Sequence, residues 1–532
     1  MRAWILVGVA GALLLAQGIY YAPRMVTWGD ENAYVHLGGL AVRGEIRLFQ
    51  DEMRGQRLPL PFYVLGVSQL VFGPSLVAAR LTSLGFGVVA LVLVAVLAGR
   101  LGGPHAGLLA AFFLATQGVL VAYFSTAVYH AMMATILLGG LTIILLARSA
   151  AGRALGVLVL SLMFVTKGSF WALHPGVTAW LVLSAATRRE RLLLVGAGSL
   201  VPLAFFLSDP SHLKPLAYVP VLGRVVSPLG YTSVLPLVRN PPQDVGDQIG
   251  GVIRLVRTYE YWMVALALVA VVLGYRWLRD GRLPPTLSGR PFLAVVGVFV
   301  SAMLMQVVVY AKLKLLAALF PSFGALLAVI LGVAFAAALD GVRSPGPRRL
   351  LLASLIVLWV LPMAIVRHPL LPDGPHAGAR VVDDLKRSAA HMARLVPAGT
   401  PVFLYGYSLP LYLSGRSPYL RQIHDPNSLA AGGTPEIIRR NGLWGFDEIE
   451  RWLVHEADYA VVQPAVLDAF RSTRPAPIGR IEALLALHFE RVGRVDDYRW
   501  ATYEVYRRRA VPDTRSGRSV TPAPSSAAPP IS

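Results

Sequence analysis

The sequence predicts a polytopic α-helical membrane protein with about eleven transmembrane helices and a small C-terminal α/β extracytoplasmic domain. Of its 532 residues, 55% are hydrophobic and only 15% are charged, and the mean hydropathy is +0.59. Soluble proteins of this length carry far more charge. The apolar residues also come in blocks close to the ~20 that cross a bilayer. From His368 the composition changes to balanced charge, which marks a different domain.

The first predicted span covers residues 4–22 and ends in the interfacial pair Tyr20 and Tyr21. The other spans are predicted at residues 76–98, 106–123, 130–147, 154–170, 171–187, 192–207, 261–278, 292–310, 313–339 and 351–367. The first block also fits a cleaved signal peptide, with Ala16-Gln17-Gly18 as a weak cleavage site. Under either interpretation, the chain from residue 23 emerges on the outer side, and residues 1–367 form a membrane domain.

The positive-inside rule supports this topology, because each predicted inner loop is short and basic. Two predicted outer loops, 23–75 and 208–260, are basic as well, and an anionic ligand would account for their charge. All lysines fall on the predicted outer side, and they are Lys167, Lys214, Lys312, Lys314 and Lys386. The excess of arginine over lysine is typical of GC-rich bacterial genomes. We therefore expect a bacterial inner membrane, with the site facing the periplasm or the exterior.

The net charge of +20 does not indicate a nucleic-acid partner, because most of it lies in the membrane part. Residues 1–367 carry 29 Lys and Arg against 12 Asp and Glu, whereas residues 368–510 carry 18 against 16. Lipid headgroups and membrane topology explain the excess. The chain has no cysteine, which excludes disulfides and thiolate metal sites.

The first outer loop places two carboxylates, Asp30 and Glu31, at the start of a predicted amphipathic helix over residues 31–45. Its apolar face is formed by Ala33, Leu37, Leu40 and Ala41, and its polar face by Asn32, His36 and Arg43. Asp30 stands at the N-cap, so capping and the helix dipole explain it in structural terms. The alternative is a functional carboxylate beside residues 57–75, an apolar stretch that prolines interrupt and that is too short to span. The arginines around this region, which favour an anionic lipid substrate, are Arg24, Arg43, Arg47, Arg54 and Arg57.

Three motifs in the first hundred residues resemble those of a known superfamily. They are D-E-x-x-Y (Asp30, Glu31 and Tyr34), the proline-rich P-x-P-F-Y stretch from Pro59 to Tyr63, and A-A-R-L from Ala78 to Leu81. In these topological positions they resemble the motifs of the GT-C glycosyltransferases. Within that superfamily, the chain is most similar to the protein O-mannosyltransferase and lipid A aminoarabinose transferase group. The resemblance covers the layout of residues 1–340.

The resemblance implies a glycosyltransferase that moves a sugar from a polyprenyl-phosphate donor to an acceptor hydroxyl at the outer membrane face, with inversion. Asp30 would act as the general base, and Glu31 would orient the acceptor or pair with an arginine. The residues expected to contact substrate are Tyr34, Tyr63, His130 and Tyr310. The acceptor is a glycan, a lipid or a protein, and membrane lipids are further partners. The sequence indicates no cofactor and no metal.

Four cations are expected to bind the donor phosphate: Lys167, Lys312, Lys314 and Arg57. Lys167 ends the fifth predicted span. The alternative explanation is that a lysine at the end of a span extends its charged group to the membrane interface. Lys312 and Lys314 lie in a short outer turn, where membrane anchoring is the alternative.

The chain departs from the resemblance at two places. The aminoarabinose transferases carry an acidic residue and a lysine before their proline stretch, whereas this chain has Gly55-Gln56-Arg57. Many relatives have an aspartate near the start of the fourth span, where this chain has His130, which an interfacial position beside Tyr129 also explains. The resemblance therefore does not identify the sugar that this protein would transfer.

Residues 368–510 are predicted to form the α/β domain, and residues 511–532 a disordered tail rich in Pro, Ser and Ala. Helices are predicted at residues 381–396 and near 446–455 and 479–489, and strands at 401–407, 458–464 and 501–509. The domain contains no phosphate-binding glycine loop and no cluster of metal ligands. It resembles the outer domains of GT-C enzymes that close the site or contact the acceptor.

A polytopic transporter or lipid flippase with an extracytoplasmic domain is the main alternative function, and a non-catalytic assembly scaffold is a second. Transporters often show paired repeats and ionisable groups deep within their spans. This sequence shows no clear repeat, and its charges gather at the predicted outer face. That distribution favours an enzyme working at the membrane interface.

Overall fold

The computed structural model is predominantly helical, with one small sheet near the C-terminus. It describes residues 2–27, 29–51, 58–171, 173–218, 220–229, 245–309, 316–342, 344–364, 370–372, 377–423, 426–496 and 502–510. Arg57, Tyr310, Lys312 and Lys314 lie outside the described residues, so their roles stay predictions.

The membrane part consists of helices that we number in chain order. They are α1 Arg2–Tyr21, α2 Gly29–Val42, α3 Pro59–Phe72, α4 Leu76–Gly102, α5 Pro104–Thr116, α6 Gly118–Phe124, α7 His130–Leu146, α8 Ala150–Ser161, α9 Leu173–Ser184, α10 Arg188–Ser208, α11 Pro220–Val226, α12 Val245–Thr258, α13 Glu260–Asp280, α14 Pro285–Ser288, α15 Arg290–Leu304, α16 Leu316–Leu319, α17 Pro321–Gly341 and α18 Pro345–Ala364. Short 3₁₀ segments cover Leu162–Val165, Gly168–Phe170, Pro210–Tyr218 and Ser227–Leu229, and a π-helical turn covers Met305–Val309.

Within the described residues, seven helices are long and apolar enough to cross a bilayer: α1, α4, α10, α13, α15, α17 and α18. The number is eight if α5 and α6 form one span, which bends by 75° at Gln117. The other three predicted spans correspond to the shorter helices α7, α8 and α9. A helical membrane protein is thus confirmed, whereas the number of eleven spans stays a prediction.

Helix α17 lies at the centre of the bundle, with 89% of its apolar span buried. Small residues let its neighbours approach closely. A Cβ atom added at Gly332 would lie 2.5 Å from the Cβ of Ala110 on α5, and one added at Gly107 would lie 2.5 Å from the carbonyl oxygen of Ala95 on α4. Close contact between small residues is how helices associate in lipid, where water does not drive them together.

Helix α2, which carries Asp30, is enclosed on all sides. Every residue from Glu31 to Ala41 is buried, so the predicted exposure of one polar face is wrong. The helix also begins at Gly29, so Asp30 lies in its first turn and not at the N-cap. The interaction of this carboxylate with the positive end of the helix remains, because the dipole acts across the first turn.

Helix α3 packs against α2 with one face and exposes the other. The two helices meet at Gly38 and Gly66, where an added Cβ would lie 2.5 Å from the carbonyl oxygen of Phe62 and 2.2 Å from that of Gly38, respectively. The opposite face of α3 exposes the side chains of Tyr63, Val67, Leu70, Val71 and Phe72 by 45% to 71%. A helix of 14 residues is too short to span. An exposed apolar face on a helix too short to span is typical of a helix at the membrane interface.

The C-terminal part contains a four-stranded sheet in the order β1-β2-β4-β3, built from β1 Val402–Tyr405, β2 Tyr459–Val462, β3 Phe489–Val495 and β4 Tyr503–Arg508. Strands β1 and β2 are parallel, and β4 runs antiparallel to both of its neighbours. The helices around the sheet are α19 Val381–Leu395, α20 Leu409–Leu413, α21 Leu420–Ile423, α22 Pro435–Arg440, α23 Phe446–Glu450, α24 Pro464–Arg471 and α25 Pro475–His488, with a 3₁₀ segment at Pro426–Ser428 and a π-helical segment at Arg451–Glu456. We call the elements from Val381 to Arg508 the α/β part.

The sheet separates two apolar cores, because successive residues of a strand point to opposite faces. In β1, Val402 and Leu404 belong to the large core that continues into the membrane helices. Phe403 and Tyr405 belong to a second core, on the other face, that includes Ile481. The α/β part is therefore joined to the membrane helices by a continuous apolar contact.

The structure confirms the three predicted strands and the predicted helices of this part, but β3 was not predicted. Only the first and last residues of β3, Phe489 and Val495, are buried. Charged side chains occupy most positions between them, so the segment lacks the apolar alternation by which a strand is recognised. It forms because β4 pairs with it in an antiparallel ladder, which an irregularity between Arg491 and Gly493 interrupts.

Candidate active site

Glu31 and Arg80 form a completely buried ion pair at the start of α2. The Arg80 guanidinium contacts the carboxylate with two parallel hydrogen bonds, Nε to Oε1 at 2.8 Å and Nη2 to Oε2 at 2.6 Å. Both side chains have no exposed surface. The backbone N–H of Ala127 also donates to Glu31 Oε1 at 2.7 Å. Both carboxylate oxygens of Glu31 thus have protein partners, and of its two predicted roles the structure shows the pairing with an arginine.

The same guanidinium ties three chain segments together. Its Nη1 atom donates to the carbonyl oxygens of Ala22 at 2.7 Å and Met25 at 3.0 Å, and its Nη2 atom donates to that of Val26 at 3.4 Å. The end of α1, the segment before α2, the start of α2 and the second turn of α4 are therefore held by one side chain. In the sequence, Arg80 was noted only as part of the A-A-R-L motif. An arginine in the second turn of an apolar span was the available signal, because a charge there needs a partner.

Asp30 is half-buried, one residue before this ion pair. Asp30 and Lys167 both lie close enough to the ring of His130 to act on it electrostatically, with opposite signs. Lys167 Nζ also lies over the ring of Tyr129, 4.3 Å from its centroid. The ring centroid of Tyr34, one turn along α2, is 6.5 Å from that of Tyr129. Four of the predicted site residues, Asp30, Tyr34, His130 and Lys167, therefore gather in one place.

His130 forms the inner wall of this cluster. Its Nδ1 atom is 2.9 Å from the hydroxyl oxygen of Ser322 on α17, and its side chain is 4% exposed. Its ring packs edge-on against Tyr123, 5.5 Å between centroids. Arg254 on α12 is close enough to act electrostatically on Tyr123. Sequence reasoning missed Arg254 as a site residue, because only the tertiary structure brings α12 to α6.

Gln306 supports the turn that carries Lys167. Its side-chain amide donates to the carbonyl oxygen of Ser169 at 2.9 Å, and Gln306 has no exposed surface. The residue lies in the π-helical turn at the end of α15. Such turns often occur at functional sites. A polar side chain at this depth in a predicted span was the sequence signal.

Tyr63 does not join the cluster. Its side chain is 45% exposed on the apolar face of α3, and its neighbour Phe62 contacts Tyr34 instead, with 4.6 Å between ring centroids. The reason is the helical period, which turns Phe62 and Leu65 inward and Tyr63 and Val67 outward. Tyr63 therefore lies apart from the other predicted site residues, and its contact with substrate stays a prediction.

Within the described residues, no group of three or more His, Asp or Glu side chains is arranged to hold a metal ion. What the cluster offers is one half-buried carboxylate, one lysine and an aromatic wall. That combination can accept a proton from a hydroxyl at Asp30 and place a positive charge near a developing anion.

His36 lies on the other side of α2 and is expected to make the fold sensitive to acid. Burial, and secondly the charge of Arg43, lowers the pKa of His36 from 6.5 to about 3. Between these pH values the unfolded chain binds a proton that the folded chain excludes. The stability that this group contributes is therefore complete above about pH 6.5 and is lost as the pH falls. The folded state should lose about 2 kcal/mol between pH 7.5 and pH 5.

Thermal unfolding of wild type and His36→Gln at both pH values measures this effect. The wild type should lose more stability on acidification than the variant, whose amide does not titrate. Equal losses in the two proteins would show that other groups, such as the Arg43–Glu45 pair beside His36, control the acid response.

Solved structures with the same fold are known, although no family model and no curated protein matches the sequence. The structure is similar to that of apo ArnT, the lipid A aminoarabinose transferase, from Cupriavidus metallidurans, with a TM-score of 0.59 and 15% identity over 95% of this chain and 98% of ArnT. ArnT bound to undecaprenyl phosphate gives a TM-score of 0.57 and 14% identity over 94% and 97% of the two chains.

A third similar structure is the Archaeoglobus fulgidus oligosaccharyltransferase tethered with an acceptor peptide that contains the NVT sequon. Its TM-score is 0.52, at 13% identity, over 92% of this chain and 72% of the oligosaccharyltransferase. Both proteins are members of the GT-C superfamily. The resemblance found in the motifs of the first hundred residues is therefore confirmed at the level of the fold: this chain has the fold of the GT-C membrane glycosyltransferases.

Proposed function

We propose that this protein is an integral-membrane glycosyltransferase that moves a sugar from a polyprenyl-phosphate donor to an acceptor hydroxyl. The observation that carries the proposal is the different environment of the two adjacent carboxylates. Glu31 is buried and paired with Arg80, whereas Asp30 is half-buried beside His130 and Lys167. Asp30 is thus the carboxylate that an acceptor can reach, and it is held at the end of a fully packed helix.

The chemistry is a single displacement with inversion. Asp30 takes the proton of the acceptor hydroxyl while the oxygen attacks the anomeric carbon. The new C–O bond forms as the bond from that carbon to the phosphate oxygen breaks, and the lipid phosphate leaves with the electron pair. A positioned base contributes ~10²–10⁴-fold to such a step. Lys167 stabilises the charge that develops on the leaving phosphate.

The environment of the cluster supports a lipid-linked donor. The exposed apolar face of α3, which is packed on α2, turns toward lipid. The structure of ArnT with undecaprenyl phosphate shows that a protein of this fold binds such a lipid phosphate. The acceptor hydroxyl belongs to a glycan, a lipid or a protein. Among proteins of this fold, the oligosaccharyltransferase is an example with a peptide acceptor, which contains the N-glycosylation sequon NVT.

Incubating the purified protein with a panel of radiolabelled polyprenyl-phosphate sugars tests this function. We expect release of lipid phosphate and transfer of label from one class of donor in the presence of membrane extract as acceptor source. The Asp30→Asn protein, prepared in the same way, is the control for enzyme-dependent transfer. Movement of an intact donor across a proteoliposome bilayer without transfer would instead support a transporter or flippase.

We further propose that residues 1–367 form the membrane domain and residues 368–510 an α/β domain outside a bacterial inner membrane, with the site on the same side. Tags placed after residues 150 and 285 should be cytoplasmic, and a tag after residue 400 should be external. Accessibility of each tag to a membrane-impermeant reagent in intact cells measures this. A cytoplasmic residue 400 would reverse the sidedness of the site.

Lys312 and Lys314 are proposed to bind the donor phosphate together with Lys167 and Arg57. Changing both Lys312 and Lys314 to Met should weaken donor binding by roughly 10-fold or more, since each lost charge-assisted contact contributes about 1.5–3 kcal/mol. Equilibrium binding of a labelled donor measures the change. Lys386→Met on α19, outside the cluster, is the matched control. An unchanged donor affinity in the double variant would leave membrane anchoring as the role of the pair.

A further inference from the structure

The α/β part contacts the helix that carries Asp30 through hydrogen bonds and a ring contact. The N–H of Leu409 donates to Asn32 Oδ1 at 3.1 Å. One turn further along α2, the ring of His36 lies between two hydroxyl groups, with Nδ1 3.1 Å from Ser408 Oγ and Nε2 3.3 Å from Ser417 Oγ. The ring of Tyr412 packs on that of His36 at 4.5 Å between centroids. We call these contacts the α2 clamp.

The residues that the α/β part contributes to the α2 clamp follow the end of β1 in the chain. The strand finishes at Tyr405, and Ser408 to Tyr412 follow as the start of α20. This segment is itself fixed to the sheet, because Tyr503 on β4 donates its hydroxyl hydrogen to the carbonyl oxygen of Tyr407 at 2.9 Å. The clamp residues are therefore tied to the sheet through the segment that follows β1.

The segment in front of α2 is also held from the C-terminal side. The N–H of Val382, at the start of α19, donates to the carbonyl oxygen of Pro23 at 3.1 Å, and the N–H of Val26 donates to that of Leu370 at 2.7 Å. Pro23 and Val26 lie in the stretch that Arg80 also organises. Asp30 thus lies between two points that are both fixed to the C-terminal half of the chain.

Contacts on the remaining sides leave α2 little freedom of its own. Against α3, the crossing at Gly38 and Gly66 is as close as backbones without Cβ atoms allow. At the N-terminus, Glu31 is locked to Arg80. Asn32 and His36 project from the side of α2 that faces the α/β part, so their partners determine how the helix is rotated about its axis. Asp30 lies less than two helical turns from His36, so a rotation at the clamp moves its carboxylate directly.

From these contacts we infer that the α/β part sets the position of the catalytic carboxylate, and that Asn32 and His36 are the positioning residues through which it does so. The inference rests on the proposed function of Asp30. A general base must lie within hydrogen-bond distance of the proton that it removes, and a displacement of 1 Å can cost up to ~10²-fold in rate. The α2 clamp supplies that accuracy without touching the substrate.

The test measures kcat, the KM for the donor and the melting temperature of full-length variants. His36→Phe keeps the ring contact with Tyr412 but loses both hydrogen bonds, and it should lower kcat by about 10-fold or more while the KM for the donor changes little. His36→Gln can still bond to a serine hydroxyl and should recover much of the loss. Ile481→Ala, in the core on the far side of the sheet, destabilises the α/β part without touching α2, and it should lower the melting temperature at unchanged kcat.

A double-mutant cycle separates positioning from general weakening of the fold. If His36 acts through Asp30, His36→Phe should cause no further loss in the Asp30→Asn background, because the group that it positions is already gone. Additive losses would overturn the inference.

Milder variants keep the test decisive if His36→Phe does not fold. The pair Ser408→Ala and Ser417→Ala removes the partners of the ring without changing α2, and kcat should again fall with donor affinity preserved. Full turnover of the folded pair, with Asp30→Asn inactive, would refute the α2 clamp while leaving the proposed function intact. An active Asp30→Asn protein would instead refute the proposed function itself.

Discussion

Asp30→Asn should lower turnover by ~10² or more while donor binding persists. An asparagine keeps the size of the side chain and loses only the interaction of the charge with the helix dipole, which contributes about 0.3–1 kcal/mol, so a purely structural role would leave the enzyme active. An asparagine cannot take the proton of the acceptor hydroxyl, so turnover that depends on Asp30 as the base should be lost. Turnover and equilibrium donor binding, measured on one detergent preparation, give the two quantities.

The matched control is Asp383→Asn, which removes a partly exposed carboxylate paired with Arg380 on α19. This variant should retain wild-type turnover. Near-normal activity of the Asp30→Asn protein would contradict the assignment of the base, and Asp30 would then be a helix-terminal charge only.

Glu31→Gln and Arg80→Met should each destabilise the fold by about 3–5 kcal/mol, because each leaves the other charge buried without its partner. Neither side chain of the pair has any exposed surface, so water cannot replace the missing group. The melting temperature of the detergent-solubilised protein measures the loss. The Glu31→Gln effect on turnover per folded molecule should be smaller than that of Asp30→Asn, because Glu31 holds the site in place and does not react.

Combining Glu31→Gln with Arg80→Met should recover part of the stability, because the double variant contains no unpaired buried charge. Breaking the exposed ion pair between Arg471 and Glu482 is the control, and Arg471→Met should shift the melting temperature far less. A Glu31→Gln protein as stable as the wild type would show that the three carbonyl partners of Arg80 are sufficient for it.

The motifs around Asp30 could be recognised in the sequence because they depend on local order. Asp30, Glu31 and Tyr34 lie on one short helix, and hydropathy places that helix beside the first span. His130 and Lys167 could be assigned to the same membrane face, since both stand at span ends. Their convergence within electrostatic reach of one another was not determined by the sequence, because it depends on how α7, α8 and α17 pack.

The predictions from sequence failed where a distant part of the chain, and not water, contacts the segment concerned. Asn32 and His36 look like the solvated face of an amphipathic helix, but the α/β part, almost 400 residues later in the chain, covers them. Strand β3 lacks an apolar pattern of its own and exists because β4 pairs with it. In both cases the partner is distant in sequence, and periodicity within one segment contains no information about it.

Hydropathy and local motifs were enough to predict the membrane class, the apolar helices of the spans and the pair of carboxylates at the start of α2, because they follow from the chemistry of neighbouring residues. The tertiary structure was needed to show which of the two carboxylates is completely buried in an ion pair. Arg80, 49 residues after Glu31, takes that carboxylate completely and leaves Asp30 as the half-buried one. A buried charge must be paired, and the position of Arg80 on α4 places its guanidinium on Glu31.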